Sequence, residues 1–215
     1  MNSATARLAE QFDDVSQQRE ASTLGMWIFL ATEVLFFGVL FAGYAYGHLL
    51  HGAAFAEAGR ETDLVLGTIE TSVLLTSSCL VALAVRAVQL GRQRGAAVLL
   101  LCTAALGTAF LVLHGFEYAH EYKEGLVPGL HWTQVGPSAP YKQLFYFLYF
   151  SITGFHSLHV SIGVVVLCVM AWRTMHGHFG PSWHTPLELS ALYWHLVDLV
   201  WIFVFPLLYL LGRHG

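Results

Sequence analysis

Five stretches of this chain are apolar for long enough to cross a bilayer: 24–47, 64–88, 96–116, 144–172 and 187–211. A membrane helix needs about 20 such residues. The connections over 91–95 and 176–186 are short. Only 119–143 is long, and it carries Pro128, Gly129, Gly136, Pro137 and Pro140. The pattern predicts an all-α membrane protein, a bundle of five transmembrane helices over 24–215 behind a polar segment over 1–23. No stretch remains for a separate soluble domain. No inverted internal repeat is visible either, which disfavours a typical secondary transporter.

Composition agrees, with 56% hydrophobic and 11% charged residues among 215. A net charge of −4 without a basic cluster points away from nucleic acid. Glu10, Asp13, Asp14 and Glu20 make the first residues unlike a cleaved secretory signal, so helix 1 is expected to act as the insertion signal. Five crossings put the termini on opposite sides. Arg7, Arg19, Arg86, Arg92, Arg94 and Arg173 then share one side, against Arg60, Lys123, Lys142 and Arg213 on the other. By the positive-inside rule the N-terminus is cytoplasmic and the C-terminus periplasmic. Cys79, Cys102 and Cys168 form no C-x-x-C pair and are expected to be small buried apolar residues.

Polar groups inside the apolar stretches carry the candidate chemistry, because they are costly there unless paired. Glu33 lies about nine residues into helix 1, about 14 Å deep. An ionised carboxylate there costs about 2.5–3.5 kcal/mol, so Glu33 is expected to be protonated or paired with a donor on another helix. It could pin helix packing, be proton-active or sense a lipid headgroup. On helix 2, Glu70 is expected to reach the outer interface. Thr68, Ser72, Thr76 and Cys79 form a stripe suited to close helix packing. Helix 3 ends with Glu117 and His120 in the Glu-x-x-His spacing of di-iron bundles. Those bundles need a second such pair, which is missing, so a boundary network is favoured. His156 and His159 on helix 4 could ligate metal or haem, or hydrogen-bond within the bundle. On helix 5, His195 and Asp198 share a face with Glu188 and Ile202. They could bond each other or bridge to helices 1 and 4. Trp194 and Trp201 are expected to face lipid or a neighbouring subunit, and Pro206 to bend the outer third. The expected buried polar network is thus Glu33, Glu70, Glu117, His156, His159, His195 and Asp198, with no catalytic residue and no metal ligand.

Several stretches resemble subunit III of the haem–copper respiratory oxidases. Gly25-Met-Trp-Ile-Phe-Leu-Ala-Thr-Glu33-Val-Leu-Phe-Phe37 is similar to the family's Gly-Met-x-x-Phe-x-x-x-Glu-x-x-Phe-Phe. Thr71-Ser-Val-Leu-Leu-Thr-Ser-Ser78 resembles its next shared helix, and Glu117-Tyr118 its Glu-Tyr pair. Gly154-Phe-His-Ser-Leu-His-Val160 is close to Gly-Phe-His-Gly-Leu-His-Val, with Ser157 replacing glycine. Tyr193-Trp-His-Leu-Val-Asp-Leu-Val-Trp201 resembles Tyr-Trp-His-Phe-Val-Asp-Val-Val-Trp. The chain is like the five-helix bacterial forms, without the two additional helices of the long forms. Thr23 and Leu24 stand where those have an arginine before the Gly-Met pair, so that contact to lipid phosphate does not carry over.

The resemblance implies an accessory subunit of a proton-pumping terminal oxidase that reduces oxygen to water in a bacterial cytoplasmic (inner) membrane. It implies no cofactor bound by this chain, with haem and copper in partner subunits, and a structural phospholipid. Subunit I is the main implied partner, with subunit II and a small subunit IV beside it. The implied roles are stabilising subunit I, supporting its proton uptake and protecting the enzyme during turnover. Glu33 matches the family's carbodiimide-reactive carboxylate, which is not essential for pumping. Three alternatives remain at this point: a quinol oxidase subunit III, a nitric oxide reductase accessory protein, or a membrane redox protein binding haem or metal through His114, His156, His159 or His195.

Overall fold

A computed structural model describes residues 10–213; Arg7 and the start of the polar N-terminal segment lie outside the described residues. Five helices follow one another: α1 Val15–Glu61, α2 Leu64–Gln89, α3 Gln93–Lys123, α4 Ala139–Met175 and α5 Thr185–Phe205. All five are long and apolar enough to cross a membrane, α5 together with the turns that follow it. The long connection between α3 and α4 holds a small antiparallel hairpin, β1 Leu126–Val127 with β2 His131–Trp132.

The helices overrun most of the apolar stretches because backbone hydrogen bonding continues through polar residues until a cap stops it. The Asp14 carboxylate accepts from the Gln17 amide at 2.7 Å and starts α1 well before residue 24. Asp63 caps α2 in the same way, accepting from Val65 N and Leu66 N. Gly91 (φ 75°) and Gly177 (φ 72°) turn the chain after α2 and α4 in the left-handed conformation that favours glycine. At 47 residues, α1 would extend about 70 Å if straight, more than a bilayer's thickness. It breaks at His51 (φ −132°, ψ 40°), and its last turns fold onto the bundle through Ala54, Phe55 and Ala58. Pro206, expected to bend helix 5, instead ends the α-helix. A π-type turn, Pro206–Leu210, and a 3-10 turn, Leu211–Arg213, carry the chain on.

Helix α2 packs on α3 and α3 on α4, α1 lies against α4, and α5 fits between α2 and α4. One indole organises this core. The Trp194 ring lies against Gly107 of α3 and Gly163 of α4, where an added Cβ would meet it at 2.5 and 2.7 Å. Its Nε1 donates to Ser77 Oγ of α2 at 3.0 Å. Trp201 is equally buried and donates to Thr71 Oγ1. Both tryptophans therefore face inward, not toward lipid.

Two further expectations are corrected. Thr68, Ser72, Thr76 and Cys79 lie on the outer surface, and the three hydroxyls are satisfied by carbonyls of their own helix. Such internal bonding removes their need for a partner helix. The face of α2 that packs is Gly67, Glu70, Leu74, Ser77 and Val81. Cys79, Cys102 and Cys168 are free thiols on the exterior of the bundle, not buried.

Candidate functional site

The predicted polar residues do not form one network. They separate into distinct clusters, each joining a different set of helices.

The first cluster closes the α1–α4 seam. His159 Nε2 lies 3.0 Å from Glu33 Oε2, and Nδ1 faces the Phe155 carbonyl at 2.7 Å. The carbonyl can only accept, so Nδ1 carries a hydrogen and a single proton is held between Nε2 and Glu33. Tyr193 of α5 donates to the His159 carbonyl at 3.0 Å. Phe36 and Phe37 pack against the imidazole, with Phe155 edge-on to Phe36. The Glu33 side chain keeps 17% of its surface exposed, so the seam is reachable from outside the bundle.

The second cluster joins α2, α3 and the π-type turn. Glu70, His114 and Glu117 are all buried, Glu70 completely. His114 Nδ1 sits 3.5 Å from Glu70 Oε1 and 3.2 Å from Glu117 Oε2, and neither approach has hydrogen-bond geometry. One ligand atom from each residue lies within 4.8 Å of the others. Tyr209 donates to Glu117 Oε2 at 2.8 Å, and Tyr149 reaches the Tyr209 hydroxyl at 3.3 Å. Phe110, Tyr118 and Trp201 pack around the imidazole. Glu121, one turn beyond Glu117, is buried as well. Glu70 does not reach the outer interface, because the inward face of α2 carries it into the bundle.

The third cluster joins α5 to α2. His195 Nδ1 lies 2.6 Å from Ser78 Oγ, and Ser78 also faces Asp198, whose Oδ1 has no partner. His195 thus connects to helix 2, where the sequence pointed to helices 1 and 4. His156 joins none of the clusters. It is fully buried with neither ring nitrogen hydrogen-bonded, packed against Phe110 and Trp201 at 5.5 and 5.0 Å between centroids. His156 and His159 therefore face different neighbours and do not act as a ligand pair.

His114, Glu121 and Ser78 belong to these clusters and were missing from the predicted set. The spacing His114-x-x-Glu117-x-x-x-Glu121 places His114 and Glu121 on the helical stripe of Glu117 and would have identified those two; no such spacing marks Ser78. His120, the other member of the Glu-x-x-His spacing, is exposed, so that spacing marks no buried pair.

Comparison with known proteins agrees with this architecture. The profile of the family described as cytochrome c oxidase subunit III matches residues 13–213. Cytochrome c oxidase subunit 3 of Thermostichus vulcanus is 33% identical over 94% of this chain and 92% of its own length. Cytochrome bo(3) ubiquinol oxidase subunit 3 of Pseudomonas aeruginosa is 32% identical over 89% of this chain and 85% of its own. A probable quinol oxidase subunit 3 of Staphylococcus saprophyticus is 31% identical over 95% and 96%. With five membrane-length helices in place and the match running through all of them, the chain belongs to the cytochrome c oxidase subunit III family.

Proposed function

We propose that this chain holds oxidase subunit I in its working shape, supports proton uptake into it and binds phospholipid, while partner subunits carry the haem and copper. Members of the family are accessory subunits of multi-subunit oxidases and lack redox centres of their own. The match over residues 13–213 is the observation that carries this reading. The clusters support it: they join helices, and the Glu33–His159 seam ties α1 to α4 through one shared proton. The expected setting is a bacterial inner membrane with the N-terminus cytoplasmic. Arg19, Arg86, Arg92, Arg94 and Arg173, all near one set of helix ends, favour that orientation.

The lipid part rests on two grooves. A wholly apolar one of about 250 Å³ runs between α1 and α5, lined by Val34, Phe37, Phe41, Leu196, Leu199 and Phe203, and suits an acyl chain. A larger cleft of about 600 Å³ has Arg19, Thr23, Glu188 and His195 in its wall. Arg19, 3.3 Å from Glu188, supplies a guanidinium on a different residue from the family arginine that is absent before Gly25.

Mild-detergent purification through a tag on this chain tests the reading. Subunits I and II and a small subunit IV should co-purify with phospholipid, and Arg19→Ala should lower the bound phospholipid. Recovery of the chain without a haem–copper subunit would overturn the proposal. Because some relatives are quinol oxidase subunits, the purified complex should be assayed with both cytochrome c and quinol as donors.

A further inference from the structure

We infer that Glu70, His114 and Glu117 form a binding site for a divalent transition-metal cation, with Zn²⁺ as the best-fitting ion. The inference goes beyond the accessory role and stands on the geometry of these residues.

Three features of the cluster call for a ligand. Both Glu70 carboxylate oxygens, both His114 ring nitrogens and Glu117 Oε1 are buried without a hydrogen-bond partner. So many orphaned polar atoms around one point are rare in a folded interior. Two carboxylates and an imidazole then form a donor set whose negative charge a dication would balance. Finally, the spacing fits. Four-coordinate zinc holds oxygen and nitrogen donors at about 2.1 Å, which sets donors about 3.4 Å apart. The 3.2 and 3.5 Å separations from His114 Nδ1 to the two carboxylates match that edge length.

The surroundings support the same reading. Tyr209 donates to Glu117 Oε2, the kind of outer hydrogen bond that orients a ligating carboxylate. A polar cavity of about 410 Å³, lined by Glu61, His120, Glu121, Glu124, Leu126 and Gln134, lies one helical turn along α3 from Glu117. Its carboxylates attract cations. One nitrogen and two oxygens bind zinc more tightly than manganese or magnesium, and zinc brings no redox chemistry to an accessory subunit.

The test uses the full-length chain in detergent, stripped with a chelator, loaded with Zn²⁺ and desalted before metal analysis. One zinc per chain is expected for the wild type and for Glu33→Gln, which alters the other carboxylate–histidine pair. Glu70→Gln and Glu117→Gln, close in shape, should each weaken zinc binding at least tenfold. Glu124→Gln, at the cavity mouth, should slow loading without changing stoichiometry. X-ray absorption at the zinc edge of the wild type keeps the test independent of variant folding: a shell of nitrogen and oxygen donors without sulfur is expected. A wild type that retains no zinc, zinc retained equally by Glu70→Gln and Glu117→Gln, or sulfur in the zinc shell would each overturn the site.

Discussion

At the Glu33–His159 seam one proton serves two heavy atoms, and this decides what each side chain tolerates. An amide at residue 33 can still donate to His159 Nε2, so Glu33→Gln should leave assembly intact and stability within about 1 kcal/mol. Thermal unfolding and gel filtration of the complex measure this. A complex that fell apart would instead point to a charged, buried pair. His159→Leu should be worse, because it strands Glu33 beside Phe36 and Phe37. At the start of α1, the Ser16 hydroxyl and then the Gln17 amide hold the Asp14 carboxyl below the usual carboxylate range. A group depressed in the folded state adds stability above its ordinary value and loses it as pH falls through the folded one. The first turn of α1 should therefore fray on acidification and, in Asp14→Ala, at every pH. Faster hydrogen exchange at the Gln17 and Gln18 amides reports both. Glu33 stood out in the sequence because a carboxylate deep in an apolar run demands an explanation. Its partner did not, since nothing local distinguishes His159, which pairs, from His156, which packs against Trp201.

Between elements, the geometry depends on where bulk meets absence of bulk. Trp194 occupies the space left by Gly107 and Gly163, so a methyl group at either glycine collides with the indole. Gly163→Ala should cost about 1–3 kcal/mol by overpacking. Ser77→Ala, which removes only the acceptor for Trp194 Nε1, should cost about 0.6–1.7 kcal/mol. Unfolding of the detergent-solubilised chain by a graded denaturant ranks the two. All five helices were legible from apolar length alone, because a bilayer imposes that length on any chain crossing it. Which face of each helix turns inward was not. Within an apolar environment, hydropathy no longer separates core from exterior, so the Thr68, Ser72 and Thr76 stripe resembled a packing face and lies outside. The buried tryptophans show the same limit: their glycine partners sit on other helices, far away in sequence.

For the whole molecule, the polar clusters bind α1 to α4, α2 to α3 and the final turns, and α5 to α2, so each transmembrane helix is fastened to another. That arrangement suits the shape-holding role proposed above. Family membership was legible through stretches spread over every helix; the division of the polar residues into separate clusters needed the three-dimensional arrangement. Separating this chain from the purified oxidase and recording optical difference spectra of both fractions tests the central claim most directly. The core fraction should keep its haem bands and its oxygen reduction, losing activity sooner during turnover, while this chain shows no Soret band. A Soret band that leaves with this chain would contradict the account.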